Sequence, residues 1–256
     1  MTGLGEIALL AAAGLLGGVV GTAGGITSLI TYPALLAVGL PALSASVTNM
    51  VALVASWPGA ALASRPELAD QGRWLRSWVP LSALGGAAGS ALVLVTPPGV
   101  FARVVPVLVA VGSLALFAQP RLAALHQRRQ SRRAPGARGV ALPLGLITMS
   151  VYNGYFGAGS GVMVLALLLI TTEPRLATAN ALKNMVLGAA TLVSAGAFAV
   201  FGPVDWWAVL PLGLGAFVGS TLGPLVARRL PPALLRRLVA LIGIGLAMQL
   251  WLNPSG

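Results

Sequence analysis

Long apolar stretches separated by short polar or glycine-rich ones occupy almost the whole chain. A helix that crosses the hydrocarbon core of a bilayer needs roughly 20 predominantly apolar residues, and several of these stretches reach that length. The pattern therefore predicts an all-α polytopic membrane protein with about 8 to 10 hydrophobic segments. The segments are 4–21, 25–39, 43–63, 76–95, 100–118, 140–156, 160–171, 176–201, 205–226 and 233–252.

The two halves of the chain match one another when they are aligned with an offset near 130 to 136 residues. This predicts two homologous membrane repeats, 1–119 and 140–256, separated by a basic loop at 120–139. We expect the first segment to be retained, because it lacks a basic leader and its counterpart recurs in mid-chain. The matched positions are 21–25 with 157–161, 48–51 with 183–186, Trp74 with Trp206, 89–90 with 219–220, 97–98 with 231–232, and Arg103 with Arg237.

Equivalent loops of the two repeats differ in charge. Loop 64–76 contains three arginines, whereas its counterpart at 202–205 contains only Asp205. Loop 96–103 contains one arginine, whereas its counterpart at 228–237 contains four. Because cytoplasmic loops carry the excess of Lys and Arg, we expect the two repeats to be inverted relative to each other.

The opening segment of each repeat is interrupted by glycines. Residues 4–39 would form a continuous helix of about 54 Å, which exceeds the hydrocarbon core of about 30 Å. The glycine cluster must therefore break the helix. A re-entrant hairpin, a pair of short spans and one long discontinuous helix all satisfy the pattern in segments 4–39 and 140–171, and the hairpin is favoured.

Composition leaves little polar surface for a water-soluble domain. The chain is 57% hydrophobic and 8% charged, with a mean hydropathy of +0.91, whereas soluble domains are about 25% charged. The net charge of +11 is concentrated in loop 120–139, where no aromatic residue interleaves with the arginines. A stacking platform for nucleic acid is therefore excluded, and we expect a cytoplasmic loop that contacts anionic lipid head groups.

Metal and thiol chemistry have almost no ligands here. The chain has no cysteine, and its one histidine, His126, lies in the basic loop. Disulfides and iron–sulfur clusters are excluded, and we expect no metal or cofactor.

The two glycine breaks are the first candidate for a binding site. A helix that starts after a break points its free N–H groups and positive dipole end into the gap, which favours an anion, and glycine lets the backbone approach a ligand closely. The alternative is that these glycines only serve helix packing. The residues expected to contact the ligand are Gly24, Gly25, Gly159, Ser160 and Gly161.

The second candidate is Lys183, the one lysine beside 15 arginines. It lies within an apolar segment, where burial of a charge costs free energy. Such a residue is interpreted as functional unless its side chain snorkels to the interface. A compact ammonium can neutralise an oxyanion. The polar residues expected around it are Thr48, Asn49, Asn153, Asn180 and Asn184, each of which has an interhelical hydrogen bond as its alternative role.

Acidic residues are absent from the interior of the apolar segments. All five of them, Glu6, Glu67, Asp70, Glu173 and Asp205, lie at segment ends or in loops. This argues against a proton relay, with Glu173 beside the second break as the exception. It also argues against a membrane-embedded enzyme acting on anionic lipid head groups, which needs a nucleophile, base or metal. A non-transporting accessory subunit is the other competing class.

These features resemble the TauE/SafE sulfite exporter family over nearly the whole chain. The resemblance rests on the opening glycine run from Gly17 to Gly25 with Pro33, the stretch 44–49, and the stretches 153–161 and 179–184 of the second repeat. It implies a permease of the bacterial plasma membrane, not an enzyme, for sulfite, sulfoacetate or a related sulfonate. The family is usually assigned about eight helices. Expected partners are the small anion, the bilayer and a second copy of the chain in a homodimer.

Overall fold

The computed structural model describes residues 3–111, 114 and 138–227, which form helices joined by short turns. Four parts of the sequence interpretation lie outside these residues: segment 233–252, loop 228–237 with its matched positions, the end of segment 100–118, and all but the last two residues of loop 120–139. The first half contributes α1 (Gly3–Gly24), α2 (Ser28–Ala37), α3 (Ala42–Leu53), α4 (Ser56–Ala63), α5 (Arg65–Leu68), α6 (Gly72–Val95) and α7 (Pro98–Val111). The second half contributes α8 (Arg138–Tyr155), α9 (Ser160–Thr171), α10 (Leu176–Phe201) and α11 (Trp206–Ala227).

The prediction of an all-α polytopic membrane protein is confirmed. Within the described residues, five helical stretches are long and apolar enough to cross a membrane. Large apolar side chains such as Val95, Phe201 and Trp207 are 75 to 77% exposed on the outer surface, where lipid is their natural solvent. The five stretches are Gly3–Thr22, Ala42–Ala63, Gly72–Val95, Leu176–Phe201 and Trp206–Gly223.

Each glycine break folds the chain back on itself. Gly25 has a φ of +73°, which ends α1, and α2 then returns along α1, so that a Cβ added at Gly17 would lie 2.7 Å from the Thr31 side chain. The second break has Gly157 and Gly159 at φ +79° and +76°. The helix pairs α1–α2 and α8–α9 are therefore antiparallel hairpins. The arms of the first hairpin are unequal, because the 22 residues of α1 span about 33 Å and the 10 residues of α2 about 15 Å.

The predicted segment 43–63 is divided into α3 and α4. The turn between them uses i→i−3 hydrogen bonds, from Val54 N to Val51 O at 3.3 Å and from Ala55 N to Ala52 O at 3.2 Å. Pro58 lacks an N–H group to continue the regular ladder, and its position in the first turn of α4 accounts for this change in hydrogen bonding. Ser56 and Trp57, at the start of α4, lie beside a cavity.

The two halves contact each other through helix pairs, and each pair contains one helix from each half. α1 packs against α11, and α6 packs against α8. Gly89 of α6 lies against the backbone of Val151, and its counterpart Gly219 of α11 lies against the backbone of Leu15, which is the counterpart of Val151. Glycine permits this close approach of two backbones. The division into repeats 1–119 and 140–256 stays a prediction, and the described parts of the two halves pack as one body.

Candidate functional site

The two glycine breaks touch each other in the interior of the protein. A Cβ added at Gly25 would lie 2.5 Å from the Cα of Gly161, and Gly25 already holds a positive φ, so neither position has room for a side chain. Gly25 and Gly161 are also counterparts in the repeat alignment. The alignment therefore matches two positions that also contact each other in the structure.

A cavity of about 110 Å³ lies beside this contact and is lined by both halves. It is smaller than the pockets of roughly 300–1,000 Å³ that hold drug-sized ligands, and it therefore suits a small ion or molecule. Helices α2 and α9 begin at its wall, with Ser28 and Ser160 in the lining. Several of the first N–H groups of both helices donate to the turn that precedes them, such as Ile30 N to Thr27 O at 3.0 Å and Ser160 N to Gly157 O at 3.1 Å, and both positive dipole ends lie at the cavity.

Lys183 is the cation of this cavity. The residue is 1% exposed, and its Nζ donates to Asn180 Oδ1 at 2.7 Å and lies 3.5 Å from the Gly21 carbonyl oxygen. The Asn180 amide nitrogen in turn donates to the carbonyl oxygen of Thr22 at 2.8 Å. The broken end of α1 therefore supplies carbonyl groups that hold a lysine and an asparagine of the opposite half.

Asn184 lines the cavity one residue beyond Lys183. Its amide nitrogen has a long contact of 3.5 Å with the carbonyl oxygen of Thr22, which is at the limit of a hydrogen bond. The Asn184 amide therefore retains donor capacity for a ligand in the cavity.

A side-chain network braces the second break. Ser160 Oγ lies 2.8 Å from both Asn153 Oδ1 and the Gly157 carbonyl oxygen, and the Asn153 amide nitrogen donates to Thr191 Oγ1 at 3.1 Å. Asn153, Ser160 and Thr191 all line the cavity. The network fixes the start of α9 against α8 and α10.

The remaining predicted site residues fall outside the described lining. Gly24 is the last residue of α1, and Gly159 precedes α9 at φ +76°. Thr48 is fully buried, and its Oγ1 accepts a hydrogen bond of 2.9 Å from the backbone N–H of Asp205. Asn49 is 2% exposed, and its Oδ1 has no partner among the described residues. The structure thus brings Gly25, Asn153, Ser160, Gly161, Lys183 and Asn184 to the cavity, with Asn180 behind Lys183.

Sequence reasoning missed one wall of the cavity. Met50 and Leu53 of α3 and Trp57 of α4 line it, opposite Gly188 of α10. A Cβ at Gly188 would collide with the Trp57 indole ring, so Trp57 fits only because residue 188 is glycine. The alignment of the repeats could have indicated this wall. The offset that matches residue 48 with residue 183 also matches these α3 and α4 residues with the cavity-lining part of α10.

Glu173 and Arg175 form the ion pair found among the described residues, at the turn between α9 and α10. Arg175 Nε donates to Glu173 Oε1 at 2.9 Å, and Arg175 Nη2 donates to Oε2 at 3.1 Å. These hydrogen bonds hold the pKa of the Glu173 carboxyl below its usual value. Glu173 is therefore a paired carboxylate at neutral pH, which makes it a poor proton carrier.

The cavity's chemistry is that of anion binding. It offers an ammonium group, amide and hydroxyl donors and two helix N-termini, and no carboxylate or histidine belongs to its described lining. No group of three or more potential metal ligands occurs within the residues described. Such an arrangement can hold a small anion reversibly.

Comparison with known proteins agrees with this chemistry. The family model described as "Sulfite exporter TauE/SafE" matches residues 7–250. The chain is also 26% identical over 254 residues to a protein of Sinorhizobium sp named "Probable membrane transporter protein ORF9", in an alignment that covers 97% of this chain and 94% of that protein. No solved structure matches the chain.

Proposed function

The chain belongs to the TauE/SafE sulfite exporter family, and we propose that it is a secondary permease that exports a small sulfur-containing or organic anion. Sulfite, sulfoacetate and related sulfonates are the proposed substrates. The family and the named relative make it a multi-pass membrane transporter. We further propose that it catalyses no covalent chemistry.

Lys183 is the observation that carries this proposal. It is a buried cation in a small cavity where two glycine breaks and two helix N-termini meet. The anion would lie against the Lys183 ammonium and the Asn184 amide, at the positive dipole end of α9. Asn153 and Asn180 would position these groups, whereas Thr48 and Asn49 would act through packing on α3.

We propose alternating access by rocking of two inverted repeats. Helix pair α3–α4 is the counterpart of α10 in the alignment, and it packs antiparallel to α10. Val47 lies near Gly202, whereas Trp57, further along the chain, lies near Gly188. The self-matched contact of Gly25 with Gly161 supports an axis between the repeats. Rocking about this axis would expose the cavity to each side in turn.

The cellular setting is also proposed. The family suggests a bacterial plasma membrane protein. The positive-inside rule favours loop 120–139 in the cytoplasm, where its arginines would contact anionic lipid head groups. A homodimer is proposed as the assembly. Crosslinking in native membranes tests the dimer, and protease accessibility of the loop in vesicles of known orientation tests the topology.

Anion flux in proteoliposomes tests the function. We expect wild-type protein to release labelled sulfite, methanesulfonate or sulfoacetate. The release rate of Lys183→Ala should be at least about tenfold lower, because a charge-assisted contact contributes about 1.5–3 kcal/mol. Arg73→Ala is the matched control, since Arg73 is an exposed cation on α6. Equal flux from Lys183→Ala and wild type would remove Lys183 from the mechanism.

Ligand-dependent stability gives an independent test. A bound anion should raise the unfolding temperature of the detergent-solubilised protein once its concentration exceeds its dissociation constant. The screen compares sulfite, sulfate, thiosulfate, taurine, sulfoacetate and simple carboxylates. The absence of both stabilisation and flux for every anion would favour a non-transporting accessory role.

A further inference from the structure

Among the described residues, the Lys183 ammonium has two hydrogen-bond partners, and both are neutral oxygens. These are Asn180 Oδ1 at 2.7 Å and the Gly21 carbonyl oxygen at 3.5 Å. Because the Asn180 amide nitrogen is engaged by the carbonyl oxygen of Thr22, the Asn180 oxygen is the atom left to face Lys183. An ammonium has three donors and no acceptor. Both partners can therefore accept a hydrogen bond from the ammonium.

These neutral acceptors do not cancel the charge. Within the described residues, α3, α4 and α9 carry no ionisable acid or base, and the ion pair present, Glu173 with Arg175, does not include Lys183. The charged side chains that the structure describes on the other helices packed against α10 do not line the cavity. They are Glu6 on α1, Arg65 and Glu67 on α5, and Arg73 and Arg76 on α6.

An uncompensated charge restricts the transport cycle. When the cavity passes from one side of the membrane to the other, it is closed to water, and a buried charge without a partner is strongly disfavoured. An anion beside Lys183 removes this penalty, whereas an empty cavity retains it. The loaded protein should therefore change state much faster than the empty protein.

We propose that the protein exchanges anions, so that each outward step with a bound anion is followed by an inward step with another. This inference rests on the proposed function and adds to it the requirement for a counter-anion. Charge balances within the cycle, because the Lys183 ammonium is paired in both crossings. Exchange of two monoanions moves no net charge, so its direction follows the two anion gradients and not the membrane potential.

The test measures efflux from proteoliposomes loaded with labelled sulfite, and in parallel experiments with labelled methanesulfonate or acetate. One outer medium contains the same unlabelled anion, and the other contains only gluconate, which is too large for a cavity of about 110 Å³. Potassium on both sides with valinomycin holds the membrane potential at zero. We expect efflux into the anion-containing medium to be at least about tenfold faster, the factor that about 1.4 kcal/mol produces.

Two variants assign the effect to the charge. Lys183→Arg keeps a cation and should keep the dependence on external anion. Lys183→Gln removes the charge, and any efflux that it retains should proceed at similar rates into both media. Trp207→Phe, at a residue that is 77% exposed on the surface, is a control that should behave as wild type.

The outcomes separate this inference from the proposed function. Equal wild-type efflux into both media would overturn exchange and leave the permease intact. Efflux into the gluconate medium that accelerates when that medium is made alkaline would also overturn exchange, since Lys183 would then release its proton outside and return uncharged without a counter-anion. No protein-dependent efflux of any anion into either medium would remove the permease, and exchange with it.

Discussion

The two glycine breaks lie at matching positions of the two halves, but they make different hydrogen bonds at the cavity. The first break offers carbonyl groups, from Gly21 and Thr22, to Lys183 and Asn180 of the other half. The second break is held by side chains, through Ser160 and Asn153. One break therefore positions the cation, and the other is fixed by hydrogen bonds among its own residues and Thr191.

Small sequence differences produce this division. The counterparts of Asn153 and Ser160 in the first half are Gly17 and Gly24, which have no side chain to form a brace. The counterpart of Lys183 is Thr48, which bonds to the backbone N–H of Asp205 and not to the cavity. A few residue differences at matching positions therefore account for the different contacts of the two breaks.

The strongest challenge to the comparison is Gly25→Ala at the contact between the breaks. Its Cβ would lie 2.5 Å from Gly161 Cα at a positive φ, and we expect a loss of about 2–5 kcal/mol of stability together with transport. Gly39→Ala is the control, since Gly39 has φ +93° and open space around it. Thermal unfolding in detergent measures both. Similar losses at the two positions would show that backbone conformation alone matters.

Removal of the brace should affect the second break alone. Ser160→Ala deprives buried Asn153 Oδ1 of its donor, and we expect about 1–3 kcal/mol of destabilisation with weaker anion binding. Ser90→Ala is the matched control, because the Ser90 hydroxyl bonds only within its own helix, to Ala87 O. If the two variants unfold at the same temperature, the brace contributes nothing specific.

Thr48→Val tests whether the counterpart of Lys183 touches the anion. The substitution removes the acceptor for Asp205 N–H, and we expect about 1 kcal/mol of destabilisation without any change in anion affinity. Thr31→Val, which loses a bond within its own hairpin to Thr27 O, is the comparison. An affinity loss specific to Thr48→Val in titration calorimetry would return Thr48 to the binding site.

The smallest expected effect concerns the turns that follow the short arms. The turn after α9 contains the Glu173–Arg175 pair, whereas the turn after α2 contains Gly39. Because the folded-state pKa of Glu173 is lowered, its stabilising contribution is present above the unfolded pKa and is lost as pH falls through the folded value. Glu173→Gln should therefore lower the unfolding temperature slightly at neutral pH and not at pH 3. A difference that persists at pH 3 would contradict this assignment.

Much of the fold was predictable because its determinants are local. Glycine clusters mark the breaks, since positive φ at Gly25, Gly157 and Gly159 favours that residue. Lys183 was identifiable because a charge in an apolar segment requires a partner. Both signals depend on the residue itself and not on the arrangement of its neighbours.

The partners of these residues were less accessible to sequence reasoning. A glycine stripe predicts a packing face without naming the helix that covers it, so the pairing of α1 with α11 emerged only from the structure. Thr48 and Asn49 were expected at the anion because they match Lys183 and Asn184 in sequence. The face of α3 at the cavity carries Met50 and Leu53 and not Thr48 and Asn49. Which face of α3 lies at the cavity depends on packing across the whole molecule.

The pairing of α1 with α11 has a consequence for biosynthesis. A helix near the start of the chain finds its packing partner only after nearly all the other described helices have been made. The ribosome and the insertion machinery must therefore hold α1 in the bilayer with its glycine face uncovered, and helices α6 and α8 can associate earlier. Assembly would proceed from the middle of the chain outward, with the contact between α1 and α11 closing the structure last.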